Sequence, residues 1–189
     1  GMQQGSIVLL AVIMGLMLAF DMGGPINKVA YAFMLICVAQ GVYTVVAIAA
    51  VGICVPPLGL GLATLIGRKN FSSEEREAGK AALVMGCVGV TEGAIPFAAA
   101  DPLRVIPSIM VGSACGTVTA ALFGAQCYAG WGGLIVLPVV EGKLGYIAAV
   151  AVGAVVTAVC VNVLKSLARK KVSQVDQKED DLDLDFEMN

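Results

Sequence analysis

Glu92 stands in the stretch VTEGAIPFAAADPLRVIP (90–107), whose other side chains are almost all apolar. A carboxylate in such surroundings is costly unless it is paired, protonated or open to a water-filled cavity. In a cavity it can accept hydrogen bonds from the hydroxyls of a polar solute such as a sugar, and can take a proton from one. Gly93 and Pro96 beside it break helical structure and free backbone N–H and C=O groups for the same solute. The simpler alternative is a structural ion pair with a base such as Arg104 or Lys28. Asp101 and Arg104 flank Pro102 as D-P-L-R, a spacing of three that allows a local pair on a helix. They are as readily a clamp at the end of the segment as a ligand contact. Asp21, Asn27 and Lys28 surround a second break, DMGGPINK (21–28). They are candidates to line the same pathway, and equally they could mark a membrane–water boundary. Glu92 is thus the candidate catalytic group. The candidate solute contacts are Glu92, Gly93, Asn27, Asp21, Lys28, Asp101 and Arg104.

The elements that must position these residues are membrane helices. Of 189 residues, 58% are hydrophobic and 14% charged, against about 25% charged in soluble domains. Residues 1–20 carry no charge, and neither do 29–67, 105–140 or 144–164. A helix needs about 20 apolar residues to cross the hydrocarbon core. Residues 29–67 have room for two segments, divided near Gly41, and Pro56-Pro57 predicts a bent or broken helix there. The expected fold class is an all-α integral membrane protein with several transmembrane helices, broken helices and a re-entrant hairpin.

Residues 68–80, RKNFSSEEREAGK, form an aqueous loop in which Ser72 and Glu75 fit a capping box. Its bases, with Lys165, Arg169, Lys170 and Lys171, should face the cytoplasm by the positive-inside rule. That puts an even number of crossings between residues 80 and 165. Segments 105–127 and 144–164 supply two, with 128–143 outside. Residues 81–100, interrupted by Glu92 and Pro96, then enter and leave on one side. Two short tilted crossings are the alternative. Trp131 and Tyr146 read as interfacial anchors.

The net charge of −2 divides into a mildly basic membrane body, 1–171, and an acidic tail, 172–189, holding seven acids and one base. The tail is expected to be disordered, solvated and cytoplasmic. There is no His, and six Cys occur without a CxxC pair. The sequence therefore predicts no metal site and no cofactor. No basic signal-peptide start, no internal repeat and no phosphate-loop or nucleophile-elbow motif is found. Basic residues without interleaved aromatics predict no nucleic-acid partner.

DMGGPINKVAYAF (21–33), VPPLG (55–59), EREAGKAALVMG (75–86) and TEGAIPFAAADPLRVIPS (91–108) resemble, in that order, the fructose-family membrane component, enzyme IIC, of the bacterial sugar phosphotransferase system. The likeness covers about residues 5–165 and corresponds to the C-terminal half of that component. It implies a sugar permease, with fructose as the default substrate, in the bacterial cytoplasmic membrane. Transport is coupled to phosphorylation of the sugar by a partner IIB domain, which is supplied in turn by IIA. The family's motif carboxylate maps to Glu92, and its GGPIN segment to Gly23–Asn27. The resemblance also implies a homodimer surrounded by membrane lipid, together with a missing N-terminal half. Whether the chain is itself an enzyme stays open, because the phosphoryl-donor domains are absent from it. Broken helices and intramembrane charge also suit an ion-coupled secondary carrier, and an inactive structural fragment of a larger transporter is a third alternative.

Overall fold

The computed structural model describes the backbone of residues 2–187 and the side chains of residues 5–169. Among the described residues seven α-helices follow in chain order: α1 Met2–Phe20, α2 Pro25–Ala39, α3 Tyr43–Ile66, α4 Ser73–Val88, α5 Ile95–Ala100, α6 Pro102–Leu122 and α7 Lys143–Glu187. One short antiparallel ladder pairs β1 (Gln126–Cys127) with β2 (Val140–Glu141). Among the described residues three helices are long and apolar enough to cross a membrane: α3, α6 and the 143–169 portion of α7. The protein is an all-α, multi-pass membrane protein.

The central element is α3, and every residue from Val45 to Gly61 along it is buried. Its apolar face is continuous all round, as expected of a helix enclosed by other helices. The break expected at Pro56-Pro57 is not there, since α3 runs unbroken through both prolines. Pro57 has no N–H, so the carbonyl of Ile53 loses its usual partner one turn on. The Thr91 hydroxyl donates to that carbonyl instead, at 3.2 Å. The prolines thus open a docking point on the helix without breaking it.

Helix α4 runs antiparallel to α3. Gly79 lies against Thr64, Gly86 against Leu58, and Thr91 reaches Ile53. Ser72 caps α4 as expected: its Oγ accepts from Glu75 N at 3.1 Å, and Glu75 Oε2 accepts from Ser72 N at 2.8 Å. A 3-10 turn at Thr91–Ala94 and α5 then bring the chain back. Asp101 and Leu103 share a cavity with Ser72 and Glu75, so the segment leaves beside the point where it entered. The expected re-entrant hairpin is present. It begins at Ser73, however, and its tip stops near the middle of α3.

The pattern recurs from the opposite end. Thr117 of α6 bonds to the Ala11 carbonyl at 2.8 Å while Gly15 lies against Ser113, so α1 runs antiparallel to α6. It stops at Phe20, just past the point where Leu18 meets Gly52 of α3. The chain turns at Asp21–Gly24, and α2 returns to the start of α3. With 15 residues, α2 is about 22 Å long, short of the ~30 Å core.

Segment 128–143, expected outside the membrane, is a third half-depth excursion. Its root sits at the start of α3, where the Tyr43 and Tyr128 rings are 4.4 Å apart. There Tyr128 donates to Glu141 Oε2 at 2.7 Å, and the neighbouring carboxylate raises the phenol's pKa. From that root the chain dips until Gly132 lies against Ile53 and the carbonyl of Ala50. Sequence counting placed it outside because it lies between two good spans. It reaches mid-depth because its glycine-rich backbone fits where a helix would not. Tyr146, expected as an interfacial anchor, is fully buried, and its hydroxyl holds the Gly133 carbonyl at 2.8 Å.

The basic loop and the end of the last span do share one face. Lys165 pairs with Glu75, Asn162 Oδ1 accepts from Asn70 at 3.1 Å, and Arg169 donates to the Lys69 carbonyl at 3.0 Å. The acidic tail has side chains that lie outside the described residues.

Candidate functional site

Three interruptions of helix converge at the height of Ile53: the elbow 21–28, the hairpin tip 89–92 and the dip 130–133. Between them is a cavity of about 200 Å³ lined by Gly23, Asn27, Lys28, Tyr31 and Ile53, with Gly89, Thr91, Glu92 and Trp131 closing it. This is below the ~300–1,000 Å³ of drug-sized pockets, and it suits one small solute. Irregular backbone at membrane depth is tolerated only where protein buries it or where it lines a cavity. Here three such stretches meet at one.

The elbow is built around Asp21. Its Oδ2 accepts from Ile26 N at 2.7 Å and its Oδ1 from Asn27 N at 2.9 Å. These bonds satisfy N–H groups at the start of α2 that a helix leaves free. Gly24, at the N-cap position, offers no side chain to do so. Asp21 therefore positions the site without lining the cavity. Asn27 is buried and anchored, donating to the Leu18 carbonyl at 2.6 Å. Gly23 has φ +105°, a conformation that disfavours a side chain, and a Cβ there would fall 2.6 Å from Glu92 Oε1. The glycine thus lets the Glu92 carboxylate lie directly against the elbow.

The tip is held from three sides. Thr91 is tied to Ile53, and the Trp131 indole donates to the Val88 carbonyl at 2.7 Å. Gly89, at φ +87°, leaves no room for a Cβ against the Gly132 carbonyl. Gly93 is packed between Met85 and Pro57; it supports the hairpin and does not line the cavity.

Asp101 and Arg104 lie elsewhere. They form a 2.9 Å ion pair at the root of the hairpin, in a separate cavity of about 680 Å³ with Glu75 and Lys165. Arg104 is therefore not the partner of Glu92. Among the described residues the ion pairs are Glu77–Lys80, Asp101–Arg104 and Glu75–Lys165. Glu92 and Lys28 line one cavity without forming such a pair. A carboxylate, an ammonium and an amide thus face one small space at mid-depth, a combination able to accept and donate hydrogen bonds to several hydroxyls at once.

Sequence reasoning missed Trp131, Tyr31 and Thr91. The available signal was the run Gly130-Trp131-Gly132-Gly133, which is too glycine-rich for a helix.

Over all 189 residues the chain is 92% identical to the fructose-like permease IIC component 2 of Escherichia coli, covering 53% of that protein. Along its whole length the chain is similar to a fructose-family IIC component. It is 49% identical over 168 residues to the fructose-specific EIIB'BC component of the phosphotransferase system of Xanthomonas campestris, covering 87% of this chain and 29% of that one. Against the fructose-specific EIIABC component of Bacillus subtilis the identity is 42% over 167 residues, covering 88% and 26%. The chain spans about half the length, or less, of these IIC-containing relatives. No family model and no solved structure matches it.

Proposed function

We propose that the chain forms the substrate-binding half, the C-terminal half, of a fructose permease whose transport is coupled to phosphorylation of the sugar. The observation that carries this is the convergence of Glu92, Asn27 and Lys28 on one small cavity at mid-depth. The names of its fructose-specific relatives support the substrate, and the B and A components in two of those names support IIB and IIA as partners.

In this reading Asn27 and Lys28 orient the sugar through its hydroxyls, and Glu92 accepts from the hydroxyl that reacts. That oxygen attacks phosphorus, so an O–P bond forms as the S–P bond to a IIB cysteine breaks. The thiolate leaves, and the hydroxyl proton passes to Glu92. The face carrying Arg68, Lys69, Lys165 and Arg169 is cytoplasmic by the positive-inside rule; IIB docks there, and the site must open to that face for the transfer. The C-terminus lies on the same side, in the bacterial inner membrane, and the complete permease is a homodimer. Asp101 and Arg104 clamp the hairpin root at that face.

The test is Glu92→Gln in the complete permease with its phosphoryl donors. Phosphorylation should fall by about 100-fold or more, the typical contribution of a positioned acid–base group. Unchanged fructose binding and phosphorylation would remove Glu92 from this role.

A further inference from the structure

Trp131 and Tyr31 make a wall of the Glu92 cavity whose polar atoms are already engaged. The Trp131 indole N–H donates to the Val88 carbonyl at 2.7 Å, and the Tyr31 hydroxyl donates to the Gly130 carbonyl at 3.0 Å. The two rings brace each other edge to face, with centroids 6.2 Å apart and planes at 87°. Trp131 nevertheless keeps 44% of its surface exposed. What this wall offers a solute is therefore aromatic carbon, fixed in place by hydrogen bonds to two backbone carbonyls.

Glu92, Asn27 and Lys28 line the same cavity. A cavity lined by both polar groups and aromatic carbon matches a solute that has hydroxyls on its edge and C–H groups on its face. A sugar ring is such a solute. The face of an aromatic ring is electron-rich and attracts the polarised hydrogens of the C–H groups. We propose that Trp131 is a sugar-stacking residue, braced by Tyr31, that sets the ring so a hydroxyl meets Glu92. This rests on reading the cavity as the sugar site. An interfacial anchor would sit at the headgroup level, but Trp131 lies beside Gly132 at the height of Ile53, near the middle of α3.

The experiment measures equilibrium binding of radiolabelled fructose, and then KM and kcat, in the complete permease. The variants are Trp131→Phe, Trp131→Leu and Glu92→Gln. Phe loses the N–H tie to Val88 but keeps a ring, whereas Leu loses both. The proposal expects Trp131→Leu to weaken binding and raise KM by about fivefold or more. Trp131→Phe should stay within about twofold of wild type, because the aromatic face survives. Equal damage from Phe and Leu would assign the effect to the Val88 tie and overturn the stacking role. Loss of binding in Glu92→Gln with full affinity in Trp131→Leu would overturn it too, while leaving the sugar site standing. Absence of fructose binding by the wild-type permease would overturn both readings.

Discussion

Asp21 and Glu92 are both acids set in apolar sequence, and the sequence alone gives no reason to separate them. Geometry does. Both oxygens of Asp21 are occupied by backbone N–H groups of its own elbow. The Glu92 carboxylate instead faces the cavity, against a glycine. Asp21→Ala should therefore act on stability, by about 0.5–2 kcal/mol as for loss of a helix cap. Thermal unfolding of the purified permease would show it as a lower midpoint, with the KM for fructose largely kept in the folded fraction. A KM effect as large as that of Glu92→Gln, without a change in midpoint, would put Asp21 in contact with solute. Lys28 and Arg104, both offered by the sequence as partners for Glu92, also separate. Arg104 belongs to the hairpin root and Lys28 to the cavity.

At the scale of elements, the question is how a hairpin that only half crosses the membrane keeps its tip in place. The link from Thr91 to Ile53 matters because Pro57 has removed the helix's own donor for that carbonyl. Thr91→Val keeps the shape and deletes the hydroxyl, leaving a buried carbonyl unpaired at a cost of about 1–3 kcal/mol. Thr91→Ser restores the donor and should recover most of that loss. Thermal unfolding of the purified permease, compared across the two variants, reads the effect as a shift in midpoint. A lower midpoint in Ser than in Val would mean that the methyl contact, not the hydroxyl, holds the tip. The sequence made the hairpin legible through Glu92 and Pro96. It hid the depth of the 130–133 dip, because a short glycine-rich stretch between two spans reads as an external loop until its contacts with Ile53 are known.

For the whole molecule, the hairpin must be fastened to the spanning helices at its root. Lys165 of α7 pairs with Glu75 of α4, and both side chains are mostly buried, at 9% and 13% exposure. The Lys165 ammonium also lies 4.3 Å from the Phe71 ring centre. Removing one partner strands the other charge, so Glu75→Gln or Lys165→Met alone should destabilise by about 3 kcal/mol. The double variant should lose much less than the sum of the two. Thermal unfolding of all four proteins gives the coupling, and strict additivity would show that the two residues act independently. The same pair joins the two basic segments that composition had assigned to one side of the membrane.

The sequence by itself determined that this chain lives in a membrane, because charge-free runs of spanning length have no other solvent that suits them. It carried the likeness to the fructose-family IIC component too, since four motifs in fixed order carry far more information than any one of them. It also marked Glu92, because a carboxylate in an apolar hairpin is costly to keep without a use. Tertiary structure decided which residues keep Glu92 company. Asn27 and Lys28 join it, Asp101 and Arg104 do not, and Trp131 moves from the expected membrane surface to the cavity wall. The physical reason is that periodicity reports which face of a helix is apolar, while the depth at which a broken backbone stops depends on contacts between distant segments. Here the Ile53 carbonyl, freed by a proline and held by Thr91, fixes that depth for the hairpin carrying Glu92.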